Sequence, residues 1–173
     1  MDVNIRKVRS TATVPTYATV GAAGFDLYAA ENVTVSPGQT VLVPLGLQFE
    51  IPEGYEMQIR PRSGVTLNTK LRVANSPGTV DSDYTGEVSV ILQNVGAAEG
   101  IGLPALLIDG TDYAGMPNTI YPLYYIRTGD RIAQGVIAPV SRVSFVETDE
   151  ELTQTERGEN GFGSTGITAE VTA

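Results

Sequence analysis

Apolar and polar residues alternate with a period of two along much of this chain, and this pattern constrains the fold more than any other feature. From 41 to 51 an apolar residue occupies every odd position, and after a Pro-Glu-Gly turn the alternation resumes at Tyr55, Met57 and Ile59. It recurs over residues 88–92 and 132–140. Alternation with this period is typical of strands that bury one face, so the sequence predicts an all-β protein.

No segment shows a sustained helical period. Nineteen glycines and ten prolines divide the chain into short strands, which favours a barrel or a sandwich. One short helix is expected after Ser63, which could cap residues 64–69. We expect one domain over residues 1–146, with a tyrosine-rich insert at 95–128, and a mobile, glycine-rich arm over 147–173.

Composition excludes several classes of function. The net charge of −9 argues against direct DNA binding through the phosphate backbone. No apolar run approaches the ~18 residues of a membrane helix, and the N-terminus lacks a signal peptide, so no membrane association is expected. The absence of cysteine fits a reducing cytoplasm. Because histidine is also absent, a general base working near neutral pH must be a carboxylate, a lysine or a tyrosine.

Residues 78–87 place two carboxylates, an aromatic ring and two glycines in one predicted hairpin. Asp81, Asp83 and Gly86 match the start of an EF-hand calcium loop. The twelfth position is Leu92, where a bidentate glutamate is needed, and strand-like residues follow. The calcium hypothesis therefore fails, while a charged turn with a purely structural role stays open.

Two stretches contain groups suited to anions. Residues 60–64 (RPRSG) combine arginine, a hydroxyl and free backbone N–H groups at a predicted helix start. Residues 157–166 (RGENGFGSTG) lack the lysine of a Walker A loop, yet Arg157 could bind phosphate and Phe162 could stack on a base. A capped helix with a solvated arginine and a flexible linker are the alternatives.

Asp26 and Gln134 are less informative by themselves. Asp26 lies in residues 23–27 (AGFDL), where an aspartate at a strand end is most often structural. Gln134, in residues 129–134 (GDRIAQ), falls on the same side of its predicted strand as Ile132 and Val136. A glutamine among apolar neighbours indicates a buried or interface hydrogen bond.

Together and in this order, these five stretches resemble the five motifs of the trimeric dUTP pyrophosphatases (dUTPases). The matching residues are 23–27, 61–64, 78–88, 129–134 and 157–166. The resemblance implies a jelly-roll-like β-barrel and a homotrimer whose active sites are shared between chains. It implies hydrolysis of dUTP to dUMP and pyrophosphate, with Mg2+ held mainly by the substrate triphosphate. Such hydrolysis needs positioning and charge neutralisation more than covalent catalysis.

The resemblance also implies residue roles. Asp81 would orient and deprotonate the water that attacks the α-phosphorus, and Asp26 would support the site from the water shell of the metal or from a subunit contact. The uracil and deoxyribose would be bound by Asn75, Gly78, Thr79, Val80, Tyr84 and Phe162. The phosphates would be held by Arg62, Ser63, Gly64, Gln134, Arg157, Gly163, Ser164 and Thr165.

Departures from the family pattern leave alternatives open. Asn160 stands where a glycine is usual, and Val65-Thr66 where Leu-Ala is more usual. The insert at 95–128 resembles the extra segment of staphylococcal phage dUTPases, some of which bind a repressor protein of a pathogenicity island. It could form such a recognition surface, pack on its own barrel or buttress the trimer. A regulatory binding protein is therefore the main alternative to an enzyme, and a dCTP deaminase-like enzyme is a remote one.

Overall fold

The computed structural model describes residues 1–98, 103–116, 119, 123–161 and 164. These residues form short strands and one short helix, which confirms the predicted all-β class. In chain order the elements are β1 (Asn4–Lys7), β2 (Phe25–Tyr28), β3 (Val33–Val35), β4 (Thr40–Pro44), β5 (Leu47–Glu50), β6 (Tyr55–Arg60), α1 (Ser63–Asn68), β7 (Leu71–Val73), β8 (Gly78–Val80), β9 (Ser89–Asn94), β10 (Ala105–Leu106), β11 (Asp112–Tyr113), β12 (Tyr124–Ile126) and β13 (Arg131–Pro139).

The strands form four sheets around one apolar core. Their orders are β1-β5, β11-β10-β12-β3, β2-β13-β6-β8 and β4-β9-β7. The core receives side chains from all four sheets, and the largest fully buried ones are Leu27, Leu45, Leu47, Met57, Leu71, Leu92, Ile126 and Ile132. Each such side chain contributes about 1.5–3 kcal/mol by leaving water.

The alternation at 41–51 predicted the buried face correctly but not the strand pairing. Val43, Leu47 and Phe49 are buried as expected. The run is broken at Gly46, whose φ of +68° and close approach to Ala12 leave no room for a side chain. As a result β4 pairs with β9 and β5 pairs with β1, and β5 does not pair with β6.

Helix α1 begins at Ser63, and its N-cap residue is Arg62, which makes no side-chain capping bond. The expectation that Ser63 caps the helix is therefore wrong. The other end of the helix is well anchored instead. Thr69 donates its hydroxyl to the Val65 carbonyl (2.6 Å), and Arg72 donates Nη1 to the carbonyls of Thr66 (3.2 Å) and Thr69 (3.1 Å).

The described part of the insert packs against the core. Strand β12 pairs antiparallel with β3, and its residues Tyr124 and Ile126 are buried. Strand β10 runs parallel to β12, and β11 pairs antiparallel with β10. The predicted insert of 95–128 therefore includes one strand that belongs to the core and two short strands that extend the same sheet.

The chain divides into two compact units, Met1–Ser141 and Arg142–Ala173, a few residues before the boundary that the sequence predicts at 147. Residues 142–160 form no helix or strand, and their side chains are exposed. Within the described residues, no helix is long and apolar enough to span a membrane.

Candidate active site

Four of the five motif stretches meet on a single sheet, β2-β13-β6-β8. Asp26 lies on β2, Gln134 on β13, and Arg62 follows the end of β6. In the register of this sheet, Gln134 lies opposite Asp26 on one side and opposite Arg60 on the other. The fold thus gathers Asp26, Gln134 and Arg62 near one end of the sheet.

Asp26 holds two arginines at this end. Asp26 is 9% exposed, and its carboxylate accepts a hydrogen bond from Nε of Arg62 at 2.9 Å, while Nε of Arg131 lies 3.5 Å from its other oxygen. Arg62 also donates Nη1 to the backbone carbonyl of Arg131 at 3.3 Å. Two cations on one buried anion leave a net positive charge, which favours an anionic ligand.

Arg131 is a residue that the sequence prediction missed. Its guanidinium lies 5.9 Å from the ring centroid of Tyr28, so it is held from two sides. A shift of strand register between Arg131 and Ala133 places it beside Asp26. Simple alternation does not reveal a β-bulge, so the fourth motif was the only indication of this residue.

The described residues around Asp26 do not form a metal site of their own. Both carboxylate oxygens of Asp26 face arginines. Among the described residues, no group of three or more acidic side chains could hold a metal ion. Mg2+ commonly binds substrate phosphates and keeps several waters, so these residues suit an ion that arrives with a triphosphate.

The turn at Ser63 and Gly64 is open to ligand. Both residues are exposed, the Ser63 hydroxyl makes no hydrogen bond within the described residues, and a Cβ at Gly64 would meet nothing within 4 Å. An open cavity of about 1010 Å³ separates this turn from the turn at Ser76 and Pro77. The cavity has room for a phosphate chain.

Strand β8, which carries three of the predicted uracil-binding residues, lies at the edge of its sheet. It pairs with β6 on one side and has no partner strand on the other within the described part of the chain. An edge strand leaves outward-pointing N–H and C=O groups unpaired. Thr79 is exposed and Val80 is buried, so the backbone of this strand is the group most available to a planar base.

The segment after β8 is a crossing turn and not the predicted hairpin, because β8 and β9 belong to different sheets. The Tyr84 N–H donates to the Asp81 carbonyl (3.2 Å), and the Tyr84 hydroxyl donates to the Glu87 carbonyl (3.0 Å). The Tyr84 ring covers Gly86, where a Cβ would stand 2.7 Å from the ring carbon Cζ. The Asp81 side chain is exposed and unpaired within the described residues.

A single chain does not bring Asp81 next to the phosphate-binding turn. Gly78 lies opposite Ile59 and Val80 opposite Met57, so β8 runs away from the Arg62 end of β6. At ~3.3 Å per residue, Met57 and Arg60 alone are ~10 Å apart. Asp81 lies beyond the Met57 end of this span, and Arg62 lies beyond the Arg60 end.

Glu87 joins the turn after β8 to two distant segments, and no role was predicted for it. Its carboxylate accepts hydrogen bonds from Arg9 and from the backbone N–H of Gly46 at 3.0 Å, while Arg9 also pairs with Glu31. The hydrogen bond from Arg9 lowers the pKa of Glu87 below its ordinary value, and burial opposes this shift.

We expect Glu87→Gln to lower the free energy of unfolding by about 1–2 kcal/mol at neutral pH. The folded-state pKa of Glu87 is depressed, so its stabilising effect is present above the unfolded pKa of about 4.3 and is lost as pH falls through the folded value. Denaturant unfolding of both proteins at about pH 7 and about pH 3.5 should show the difference shrinking in acid.

Glu31→Gln is the matched control, because it removes the exposed partner of the same arginine and should change stability by at most about 0.5 kcal/mol. A Glu87→Gln effect as small as this control, or one that persists unchanged in acid, would contradict the role given to Glu87.

In the C-terminal unit, Arg157 lies in a tight turn. Its Nε donates to the backbone carbonyl of Asn160 at 2.9 Å, and Gly158 adopts a φ of +52°. Because Asn160 contributes through its backbone, its replacement of the usual glycine is compatible with this turn. An open cavity of about 600 Å³ is lined by Thr155, Glu156, Arg157, Asn160 and Ser164. The other predicted residues of this motif, Phe162, Gly163 and Thr165, lie outside the described residues.

The fold and the site define an all-β protein with a surface suited to a phosphate-bearing ligand. A protein-family model described as dUTPase matches residues 10–99 and 116–166. The chain belongs to the dUTPase family, which confirms the assignment made from the five motifs. The family model omits 100–115, so only the middle of the predicted insert lies outside the family pattern.

Known proteins support this assignment over nearly the whole chain. The deoxyuridine 5'-triphosphate nucleotidohydrolase of Helicobacter pylori (strain P12) is 40% identical, covering 96% of this chain and 98% of that protein. The dUTPase of Staphylococcus bacteriophage 80alpha, solved with dUpNHpp, has a TM-score of 0.88 at 29% identity, covering 96% of this chain and 99% of that one. A variant of the phage phi11 dUTPase, whose structure shows a structural Mg(II) ion, has a TM-score of 0.82 at 27% identity, with 87% and 98% covered.

Proposed function

We propose that this protein hydrolyses dUTP to dUMP and pyrophosphate in the cytoplasm, which limits uracil in DNA and supplies dUMP. The observation that carries the proposal is the Asp26–Arg62–Arg131 cluster beside the open Ser63–Gly64 turn, in a member of the dUTPase family. The cluster provides an oriented cationic surface for a triphosphate, and the absence of cysteine fits a reducing compartment.

The active site is shared between the chains of a homotrimer. This proposal is supported by the register of β8 and β6, which separates Asp81 from Arg62 within one chain. A water activated at Asp81 can reach a phosphate bound at Arg62 only if the two residues come from different copies. The exposed C-terminal unit supplies Arg157 and Ser164, together with Phe162, Gly163 and Thr165.

At the phosphate end, Asp26 acts as a positioning residue. It fixes Nε of Arg62, and the Arg131 carbonyl accepts from Nη1, which leaves Nη2 without a partner among the described residues. A guanidinium held in this way meets a phosphate oxygen with little further loss of side-chain entropy. Ser63 Oγ, the Gly64 N–H and Gln134 complete the set of donors.

The chemical step needs one base. Asp81 accepts a proton from a water molecule and aims its oxygen at the α-phosphorus, in line with the departing pyrophosphate. The carboxylate of Asp81 is exposed and has no partner among the described residues, so it is available for this task. Mg2+ held mainly by the substrate triphosphate would supply charge neutralisation.

Base and sugar are selected along the edge of β8. The outward backbone groups of Thr79 and Val80, with Asn75 beside Gly78, bind the polar edge of uracil, and Phe162 of the arm stacks on the base. The Tyr84 ring is held over Gly86 by its hydrogen bond to the Glu87 carbonyl, so it presents a fixed face beneath the deoxyribose. A 2′-hydroxyl would point into this face.

The direct test is pyrophosphate release with Mg2+ from dUTP, UTP, dTTP and dCTP. We expect kcat/KM for dUTP to exceed that for each of the others by about 100-fold or more, because each competitor adds or displaces one group in a shaped site. Turnover of UTP or dTTP at a comparable rate would overturn the proposed specificity. Ammonia release from dCTP would favour the deaminase-like alternative.

A second candidate function is protein binding through residues 95–128, with a repressor as the partner. The rings of Tyr113 and Tyr125 stack at 4.5 Å on the sheet that this segment forms, giving a partly exposed aromatic surface. The 80alpha dUTPase, which has a similar structure, is described as controlling the transfer of virulence genes. Co-elution of the protein with a purified pathogenicity-island repressor tests this role, and its absence at micromolar concentrations would argue against it.

A further inference from the structure

A rigid turn in the insert lies against helix α1. At residues 107–111, the Leu107 N–H donates to the Thr111 carbonyl at 2.8 Å, and the Gly110 N–H donates to the Leu107 carbonyl at 2.9 Å. Asp109 accepts from the hydroxyl (2.6 Å) and the backbone N–H (2.9 Å) of Thr111, which lowers the pKa of Asp109. The turn is therefore fixed by its own hydrogen bonds, and we call it the insert turn.

Gly110 makes the contact with the helix. Its φ is +85°, and a Cβ at this position would stand 2.6 Å from the backbone carbonyl oxygen of Asn68, the last residue of α1. Because the atom that this Cβ would meet belongs to the backbone, no flexible side chain could move aside to make room. Glycine is therefore required both for the conformation of the insert turn and for its approach to the helix.

A second contact anchors the same end of α1. The backbone N–H of Lys70 donates to the hydroxyl oxygen of Tyr124 at 2.9 Å, and Tyr124 is 5% exposed on β12. Leu106 on β10 lies opposite Tyr124, so the insert turn and this hydroxyl belong to one small sheet. Leu106 and Ile108 also pack against the core, which fixes the sheet on the barrel.

Helix α1 depends on such external contacts. It has six residues, no side-chain N-cap and a single buried residue, Val65. A helix this short has no independent stability, so its orientation is set by what touches it. Its first residues are Ser63 and Gly64, directly after Arg62, and they lie less than two helical turns from Asn68.

We propose that the insert turn positions α1 and thereby sets the affinity of the Arg62–Ser63–Gly64 segment for the phosphate chain. This inference rests on the proposed function and assigns a positioning role to the insert turn, which lies within the residues 100–115 that the family model does not match. It predicts that a disturbance at Gly110 weakens phosphate contacts without weakening contacts to uracil.

The test compares Gly110→Ala with Gly38→Ala. Both glycines have positive φ, at +85° and +75°, but a Cβ at Gly38 would meet nothing within 4 Å. Calorimetry measures the affinities for dUpNHpp, which carries the full phosphate chain, and for dUMP. We expect Gly110→Ala to weaken dUpNHpp binding about 10-fold and dUMP binding by no more than about 2-fold. For Gly38→Ala, the affinities for both ligands should stay within about 2-fold of the wild type.

The inference would be overturned if Gly110→Ala lowered the affinities for both ligands equally. It would also be overturned if Gly38→Ala showed the same selective loss of dUpNHpp affinity. If Gly110→Ala does not fold, Tyr124→Phe removes the second contact and should weaken dUpNHpp selectively by about 3-fold, and an unchanged ratio of the two affinities would overturn the inference. The activity of the wild-type protein distinguishes a failure of the proposed function from a failure of the positioning role. Failure of the unmodified protein to hydrolyse dUTP would reject the proposed function, whereas a normal wild type with unselective variants rejects only the positioning role.

Discussion

Asp81→Asn is expected to lower dUTP turnover by about 1000-fold while dUpNHpp binding stays within about 3-fold. Asparagine has nearly the same shape as aspartate but cannot accept the proton of the attacking water. The Asp81 side chain is exposed and makes no hydrogen bond within the described residues, so its replacement should not disturb the fold. Pyrophosphate release, calorimetry and thermal unfolding together measure the three parts of this expectation.

Asp83→Asn is the control for charge. Asp83 lies two residues further along the same turn, is also exposed and has no assigned part in the chemistry. Its replacement removes the same charge, and we expect turnover to fall by no more than about 3-fold. Equal losses in the two variants would show that the turn acts through its net charge, and full activity of Asp81→Asn would reject Asp81 as the base.

The sequence predicted which side chains are buried because the period of a strand is a local property. Val43, Phe49 and Met57 could be placed in the core from alternation alone, and each is buried. Strand pairing is not local in this sense. Nothing in the alternation of 41–51 indicates that Gly46 divides the run between two sheets, since that depends on its contact with Ala12.

The candidate site likewise has features that the sequence predicts and contacts that it does not. The motifs indicated Arg62 and Gln134, which the sheet does bring together. They did not indicate that Asp26 is occupied by Arg62 and Arg131, because these pairs join residues far apart in sequence and one depends on a β-bulge. The sequence predicted that Asp26 supports the site from the water shell of a metal or from a subunit contact, and its observed ion pairs support a further proposed role in orienting arginines.

The insert illustrates a further limit of sequence reasoning. Its tyrosines and low content of charged residues suggested a single segment from 95 to 128, yet Tyr124 and Ile126 are core residues of β12. A buried strand and a surface insertion can have the same apolar composition when the strand is only three residues long. Deletion of the whole segment would therefore remove part of the core, and a variant that probes the insert must keep β12.

Truncation before Arg157 is expected to lower dUTP turnover by about 100-fold or more while the barrel stays folded. No described residue after 141 belongs to the buried core, so the thermal midpoint should change by less than about 3 °C. The truncation removes Arg157 and Ser164, which are the predicted phosphate-binding residues of the arm that the structure describes. Removal of a guanidinium that binds a transferring phosphoryl group alone costs several kcal/mol of transition-state stabilisation.

The full-length variant Arg142→Gln provides the control, because it removes an exposed arginine from the same C-terminal unit without touching the glycine-rich motif. We expect its turnover to stay within about 2-fold of the wild type, since an exposed charge outside the glycine-rich motif is screened by salt. Arg157→Gln should fall between this control and the truncation, because it leaves the rest of the motif in place. Unchanged turnover after truncation would reject the role of the arm, and a large fall in the thermal midpoint would mean that residues 157–173 stabilise the fold. The combination of lost turnover and an intact fold is the outcome that only a catalytic arm produces.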